Sequence, residues 1–188
     1  GLVAAARMRQ LGLSVILCEA EPVLAEDLRA STFHPPTLDM LATLGFAQGL
    51  IDEGLISPTW QVRMHETGEK AEFDVGLLEG ETDHPYRLQC EQFRLCRIAA
   101  ARLVAEGADI RMGARAIAAN DEGDCVRATI EDANGVHELT ARYLVGADGA
   151  GRKSVGLGGA RDEMLDQHAT ILPPFDERRN ADGDDIEP

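Results

Sequence analysis

Gly1 and Glu19 are the first residues whose types and spacing could do chemistry. They bracket GLVAAARMRQLGLSVILCE, a small-residue helix that runs through a glycine into an apolar strand ending on an acid. A glycine at a helix start with a carboxylate about 20 residues further on is the back half of a G-x-G-x-x-G dinucleotide site. There the glycine lets the helix pack closely on a strand, and the acid accepts a ribose hydroxyl. The same residues also fit an ordinary buried helix-strand pair whose acid is incidental. A second cluster lies far along the chain in ARYLVGADGAG, where an apolar run ends on Asp148 and Gly149. Ligands of open α/β sheets collect beyond the carboxyl ends of strands, and glycines there let backbone approach a ligand without a Cβ in the way.

Elements must hold these residues. Ala4, Ala5 and Ala6 are strong helix formers, Leu2, Val3, Met8 and Leu11 give that helix an apolar face, and Gly12 is placed to end it. Leu13 to Cys18 alternates too little for a half-exposed strand and is expected to be covered on both faces, as in a parallel sheet. A loop through Pro35 and Pro36 leads to a helix marked by Leu38, Leu41 and Leu44 and closed by Gly45, followed by a loose region to about Pro58. Trp60, Val62 and Met64, then Ala71, Phe73 and Val75, alternate with polar residues and predict a β-hairpin with one covered face. The stretch from Gly76 to Cys90 reads as a loop. A helix follows in EQFRLCRIAAARLVAEG, with Phe93, Leu95, Ile98, Leu103 and Val104 on its buried side. Four strands, from Asp109 to Tyr143, then predict a β-meander whose last strand runs on through Val145. Beyond about residue 157 the pattern fails, and 158–188 reads as a poorly structured acidic tail.

The composition sets limits on function. With 44% apolar and 27% charged residues in 188, the chain can build a real core. A net charge of -15 argues against nucleic acid or anionic membrane as a partner, since both attract basic surfaces. No apolar run reaches the 18 or so residues of a membrane span, and no leader precedes the first helix. Cys18, Cys90, Cys96 and Cys125 are scattered, so buried thiols and a cytoplasmic location are expected. The five histidines show no metal-ligand spacing.

The order of these elements, with Arg29 in the loop and Gln92 at a helix start, resembles the FAD-binding part of the single-component flavoprotein aromatic hydroxylases, the para-hydroxybenzoate and phenol hydroxylase-like monooxygenases. The resemblance runs over roughly residues 1–157. It implies a Rossmann-like α/β FAD-binding domain with a parallel sheet, an inserted β-hairpin and a β-meander, lacking its first strand. It further implies that Gly1 is the last fingerprint glycine and that Glu19 meets the adenosine ribose. Arg29 would reach the ribityl and pyrophosphate region, where a planar guanidinium can pair with phosphate oxygens. Gln92 would meet the flavin side, Ala116 would offer backbone to the adenine, and Asp148 with Gly149 would form the second fingerprint. The strand and two glycines that open the first fingerprint are not in the sequence. AGRKSVGLGG departs in register from the family's turn after the Asp-Gly pair, and the substrate-binding sheet and the later Gly-Asp motif are also missing.

In this family the flavin does the difficult chemistry. NAD(P)H supplies electrons, O2 is activated, and one oxygen atom passes to an electron-rich aromatic substrate. No metal or protein nucleophile is called for. The resemblance therefore implies an NAD(P)H-dependent FAD monooxygenase acting on a small aromatic molecule. Two alternatives stay open: a halogenase- or reductase-like flavoenzyme on the same fold, or a catalytically silent FAD-binding remnant.

Overall fold

The computed structural model describes residues 1–28 and 30–147. Arg29, the Asp148-Gly149 pair and the predicted tail at 158–188 lie outside the described residues. The described residues divide into two compact units, one within 2–17 and 23–110, the other of residue 1, 18–22 and 111–147.

The larger unit is built on helices. Helix α1 (Leu2–Gln10) turns out at Gly12, whose φ of 80° is the left-handed stop expected of it. Helix α2 (Pro35–Thr43) starts from an extended His34 with proline at its first position, and α3 (Ala47–Glu53) and α4 (Gln92–Ala105) complete the set. Leu38, Leu41, Leu50, Leu88 and Ala99 are fully buried, and Phe46 and Leu103 are 1% exposed. Each large apolar side chain removed from water in this way contributes roughly 1.5–3 kcal/mol.

Several expectations change here. The region read as loose before Pro58 contains α3 and strand β3 (Leu55–Ser57), while β2 (Thr32–Phe33) and β6 (Arg87–Gln89) stand in stretches read as loop. These three strands form one sheet in the order β2-β6-β3, antiparallel throughout. Helix α3 tolerates Gly49 because the site faces Ile98 of α4, whose Cδ1 would stand 3.3 Å from an added Cβ. On α4 the buried stripe is Leu95, Ala99 and Leu103, an i, i+4, i+8 series, and Val104 is 63% exposed rather than buried.

Strands β4 (Thr59–Arg63) and β5 (Lys70–Asp74) pair antiparallel with Trp60 opposite Phe73. The expectation of a covered face fails, because every residue of both strands is exposed. Alternation sorted apolar from polar side chains correctly, but no described element lies over the apolar side.

Strand β1 (Ile16–Glu19) pairs with β7 (Asp109–Met112). Full cover on both faces is not what β1 has: Ile16 is 43% exposed and the rest of the strand is half-buried. In the smaller unit β8 (Arg115–Asp121), β9 (Val126–Asp132) and β10 (Gly135–Ala141) form an antiparallel sheet in chain order, with a bulge between Ala116 and Ala118. The last strand ends at Ala141, short of Val145. Val126, Ala128 and Ile130 alternate inward on β9, and Cys18, Ala116 and Leu139 pack against Ala128 and Ile130.

Candidate functional site

Glu19 closes β1. Its backbone carbonyl accepts the Ala114 N-H at 2.8 Å, and the Glu21 carbonyl accepts the Gly113 N-H at 2.9 Å, so the acid sits on a doubly anchored turn. Gly113 holds φ of 67°, a conformation that favours glycine and lets the chain turn from β7 into β8. One carboxylate oxygen of Glu19 accepts the Glu21 N-H at 2.9 Å, which fixes the side chain's direction. The other makes no bond among the described residues. A carboxylate held by one oxygen and open at the other can accept a hydroxyl. Gly1 stands immediately before α1, and Ala116 pairs with Ile130 on β8, an edge strand of its sheet.

In the larger unit the Gln92 N-H donates to the Ala30 carbonyl at 2.8 Å, and the Cys90 N-H donates to the Ser31 carbonyl at 2.9 Å. The residues directly after Arg29 are thereby fixed to the start of α4. The Gln92 side chain is exposed, with no hydrogen bond among the described residues, and Glu91, the N-cap, makes no capping bond because Arg94 takes its carboxylate at 2.6 Å. The bonds from its own backbone and from Arg94 hold the Glu91 carboxyl below the usual range. In the first turn of α4 the Gln92 and Arg94 N-H groups are already bonded, to the Ala30 and Glu91 carbonyls, so what this helix start presents is the exposed Gln92 side chain.

The structure thus brings Glu19 beside the Ala114 turn, and Gln92 beside Ala30. Sequence reading missed a further polar group in the same unit. His84 is 9% exposed, and its Nδ1 donates to Asp39 Oδ1 at 2.6 Å, while Thr82 donates to the other oxygen at 2.7 Å. These bonds, that of His84 first, hold the Asp39 carboxyl below its ordinary value. Burial pushes the Tyr86 phenol up, and its ring meets His84 edge-on at 5.9 Å. Only a histidine before a proline marked this group in the sequence, and an aspartate on a distant helix gave no clue that it was the partner.

A cavity of about 310 Å³ between the ends of α1, α2 and α4 is lined by Arg9, Gln10, Phe46 and Arg102. It lies at the opposite end of α4 from Gln92. Its cations are committed: Arg9 donates to the Leu13 and Glu106 carbonyls, and Arg102 to the Leu44 carbonyl and the Glu106 carboxylate. They cap helix ends rather than await a ligand.

No helix among the described residues is long and apolar enough to cross a membrane. Residues 1–171 match the FAD binding domain family. The chain is 29% identical over 151 residues to 6-hydroxy-3-succinoylpyridine 3-monooxygenase of Pseudomonas putida, covering 80% of this chain and 38% of that enzyme. To the para-nitrophenol 4-monooxygenase of a Pseudomonas species it is 28% identical over 162 residues, 84% of this chain and 40% of that one. It therefore spans well under half the length of these curated relatives. Among solved structures, aklavinone-11 hydroxylase in its complex with FAD and aklavinone superposes with a TM-score of 0.69 at 28% identity, over 79% of this chain and 31% of that one. The p-nitrophenol 4-monooxygenase of Pseudomonas putida shares the fold at a TM-score of 0.71 and 24% identity, over 76% of this chain and 36% of that one. The match over residues 1–171 shows that the chain belongs to the FAD binding domain family.

Proposed function

We propose that this chain is the FAD-binding portion of a monooxygenase that hydroxylates a small aromatic substrate with NAD(P)H and O2. The observation that carries the reading is Glu19: a carboxylate at the end of β1, steered by the Glu21 N-H and open at its second oxygen. Such a group fits the ribose of the adenosine half. Gly1, at the start of α1, suits the close approach of a helix to the cofactor's phosphates. Ala116 is assigned to the adenine through its backbone, and β1 and β7 are read as two strands of the parallel sheet that this fold uses. At the other half, Gln92 is assigned to the flavin side, with Arg29 beside it in sequence terms through Ala30. Asp148 and Gly149 are assigned to the second fingerprint. Residues 1–157 would then be the cofactor domain, with 158–188 outside it.

The cofactor, when bound, supplies electron transfer from the nicotinamide donor and oxygen activation. This chain's residues bind and orient it: Glu19 takes hydroxyls, the start of α4 presents the Gln92 side chain, and Arg29 supplies a planar cation. The relatives named above act on a pyridine, a nitrophenol and aklavinone, which supports an aromatic substrate class.

The test is an FAD titration. The 188-residue chain is expected to bind FAD weakly, since two fingerprint glycines are not in its sequence. A polypeptide extended by a preceding strand and those glycines should bind tightly. In it Glu19→Ala and Asp148→Ala should each lower affinity about tenfold, or about 1.4 kcal/mol. Affinity unchanged in both variants would overturn the site assignment.

A further inference from the structure

Where α1, α2 and α4 end together, the helices are fastened to one another by side chains. The Arg9 guanidinium, on the last turn of α1, donates to the Glu106 carbonyl at the C-cap of α4 at 3.1 Å. The neighbouring Gln10 amide donates to the Thr43 carbonyl, the last of α2, at 2.8 Å. Arg102 of α4 donates to the Leu44 carbonyl at the C-cap of α2. Carbonyls that no donor of their own helix reaches are thus satisfied by a side chain from another helix, which makes the three ends one clasp. Its members are aimed for this use. Arg7 donates to Gln10 Oε1, which leaves the Gln10 Nε2 for Thr43. Gly45, at φ of 73°, makes room for Arg102, since a Cβ there would stand 2.5 Å from its Nη1.

Packing along α1 does less to fix where that helix stands. Ala5 is its one buried residue, and Leu2, Val3 and Ala6 lie half-buried against the cluster that Leu95 and Ala99 of α4 join. Small side chains make low ridges, which oppose sliding along the axis only weakly. A hydrogen bond is stricter, because a slip of one residue moves a helix about 1.5 Å and takes a bond of about 3 Å out of range. Nine residues are also too few for a helix to stand alone. The clasp therefore sets the axial register of α1 against α4.

Register matters at the opposite end. Arg9 meets the C-cap of α4 while the rest of α1 packs along that helix, so the two run side by side in the same sense and their starts share one end of the larger unit. Gln92 opens α4, and its N-H and that of Cys90 hold Ala30 and Ser31, directly after Arg29. We propose that Arg9, with Gln10 beside it, is a positioning residue for the cofactor: it sets the offset between the start of α1 and Gln92 from the far ends of the helices, without touching the ligand. The lever is α4 itself, 14 residues or about 21 Å long. The two halves of a dinucleotide are joined covalently, so contacts to both form together only at the right spacing. This inference rests on the FAD reading under Proposed function and adds residues that act through α1 and α4.

The test reads the far end directly. In amide exchange of the 188-residue chain followed by NMR, the Gln92 and Cys90 N-H groups should exchange at least tenfold faster in Arg9→Met than in the wild type. Arg9→Lys, which keeps a donor for the Glu106 carbonyl, should restore most of that protection. Arg97→Met deletes an arginine of α4 that pairs with Glu53 outside the clasp, and should change nothing at Gln92. Gln10→Ala removes one bond of the clasp and should repeat the Arg9→Met pattern at smaller size. Should Arg9→Met unfold, Gln10→Ala decides in its place. In a polypeptide extended by a preceding strand and the fingerprint glycines, Arg9→Met should weaken FAD binding about tenfold and Arg9→Lys less. Faster exchange confined to the last turns of α1 and α4 would overturn the proposal, as would FAD affinity that holds while protection at Gln92 falls. An extended wild type that binds no FAD would overturn the flavin reading instead, and the exchange pattern would still decide whether Arg9 sets the register.

Discussion

Two antiparallel hairpins in this chain obey the same alternation and meet different fates. In β9, paired to β8 and β10, Val126, Ala128 and Ile130 are 4%, 7% and 2% exposed. In β4 and β5, Trp60 and Phe73 occupy equivalent inward-type positions and are each more than a third exposed. Alternation in a sequence settles which side chains share a face, since successive residues of a strand point to opposite sides. It says nothing of whether anything lies over that face. A two-stranded hairpin is marginal by itself, and the β4-β5 pair adds to its backbone ladder one aromatic stack, Trp60 on Phe73.

The contrast can be broken by truncation. Ile130→Ala should cost roughly 2–5 kcal/mol in urea unfolding, because it empties a packed site that cannot collapse. Trp60→Ala should cost only about 0.5–1.5 kcal/mol, the scale of an aromatic pair with little burial behind it. Equal losses at the two sites would mean that the hairpin's face is covered after all.

A third measurement compares polar ties with apolar ones. Asp39 has its carboxyl held down by His84 and Thr82, so its folded value lies below its unfolded one. Its contribution is fully present above the unfolded pKa, about 3.9, and is lost as pH falls through the lower folded value. Stability of the wild type should therefore decline in this acid range more steeply than that of Asp39→Asn, while Ile130→Ala should shift the whole curve without changing its slope. Parallel acid curves for the wild type and Asp39→Asn would remove Asp39 from the account.

Helix limits were legible because their punctuation is local. Gly12, Gly45 and Gly107 all take the left-handed conformation that ends a helix, and Pro35 starts one. The placement of Glu19 at a strand end and of Gln92 at a helix start was legible from the sequence. What escaped was decided at a distance. Strands of two or three residues, such as β2 and β6, exist because partners from remote stretches pair with them, and no periodicity can announce so short a run. Val104 looked like core by type, yet the stripe through Ala99 puts it on the outer side of α4. The Asp39-His84 tie and the Arg87-Trp60 contact join residues whose separation in sequence carries no signal.

The junction of Ala30 and Ser31 with Gln92 and Cys90 is made wholly of main-chain bonds. Side chains at Ala30 and Gln92, both exposed, are thus free to vary in size and charge without unfastening the segment from α4, whereas Cys90 is 2% exposed and packed in the core of the larger unit. Proline is the exception at 90 and 92, since it alone deletes the donor. The attachment is insensitive to most mutations while the chemistry displayed on it can change. That is a favourable arrangement for a cofactor scaffold whose relatives serve a pyridine, a nitrophenol and aklavinone.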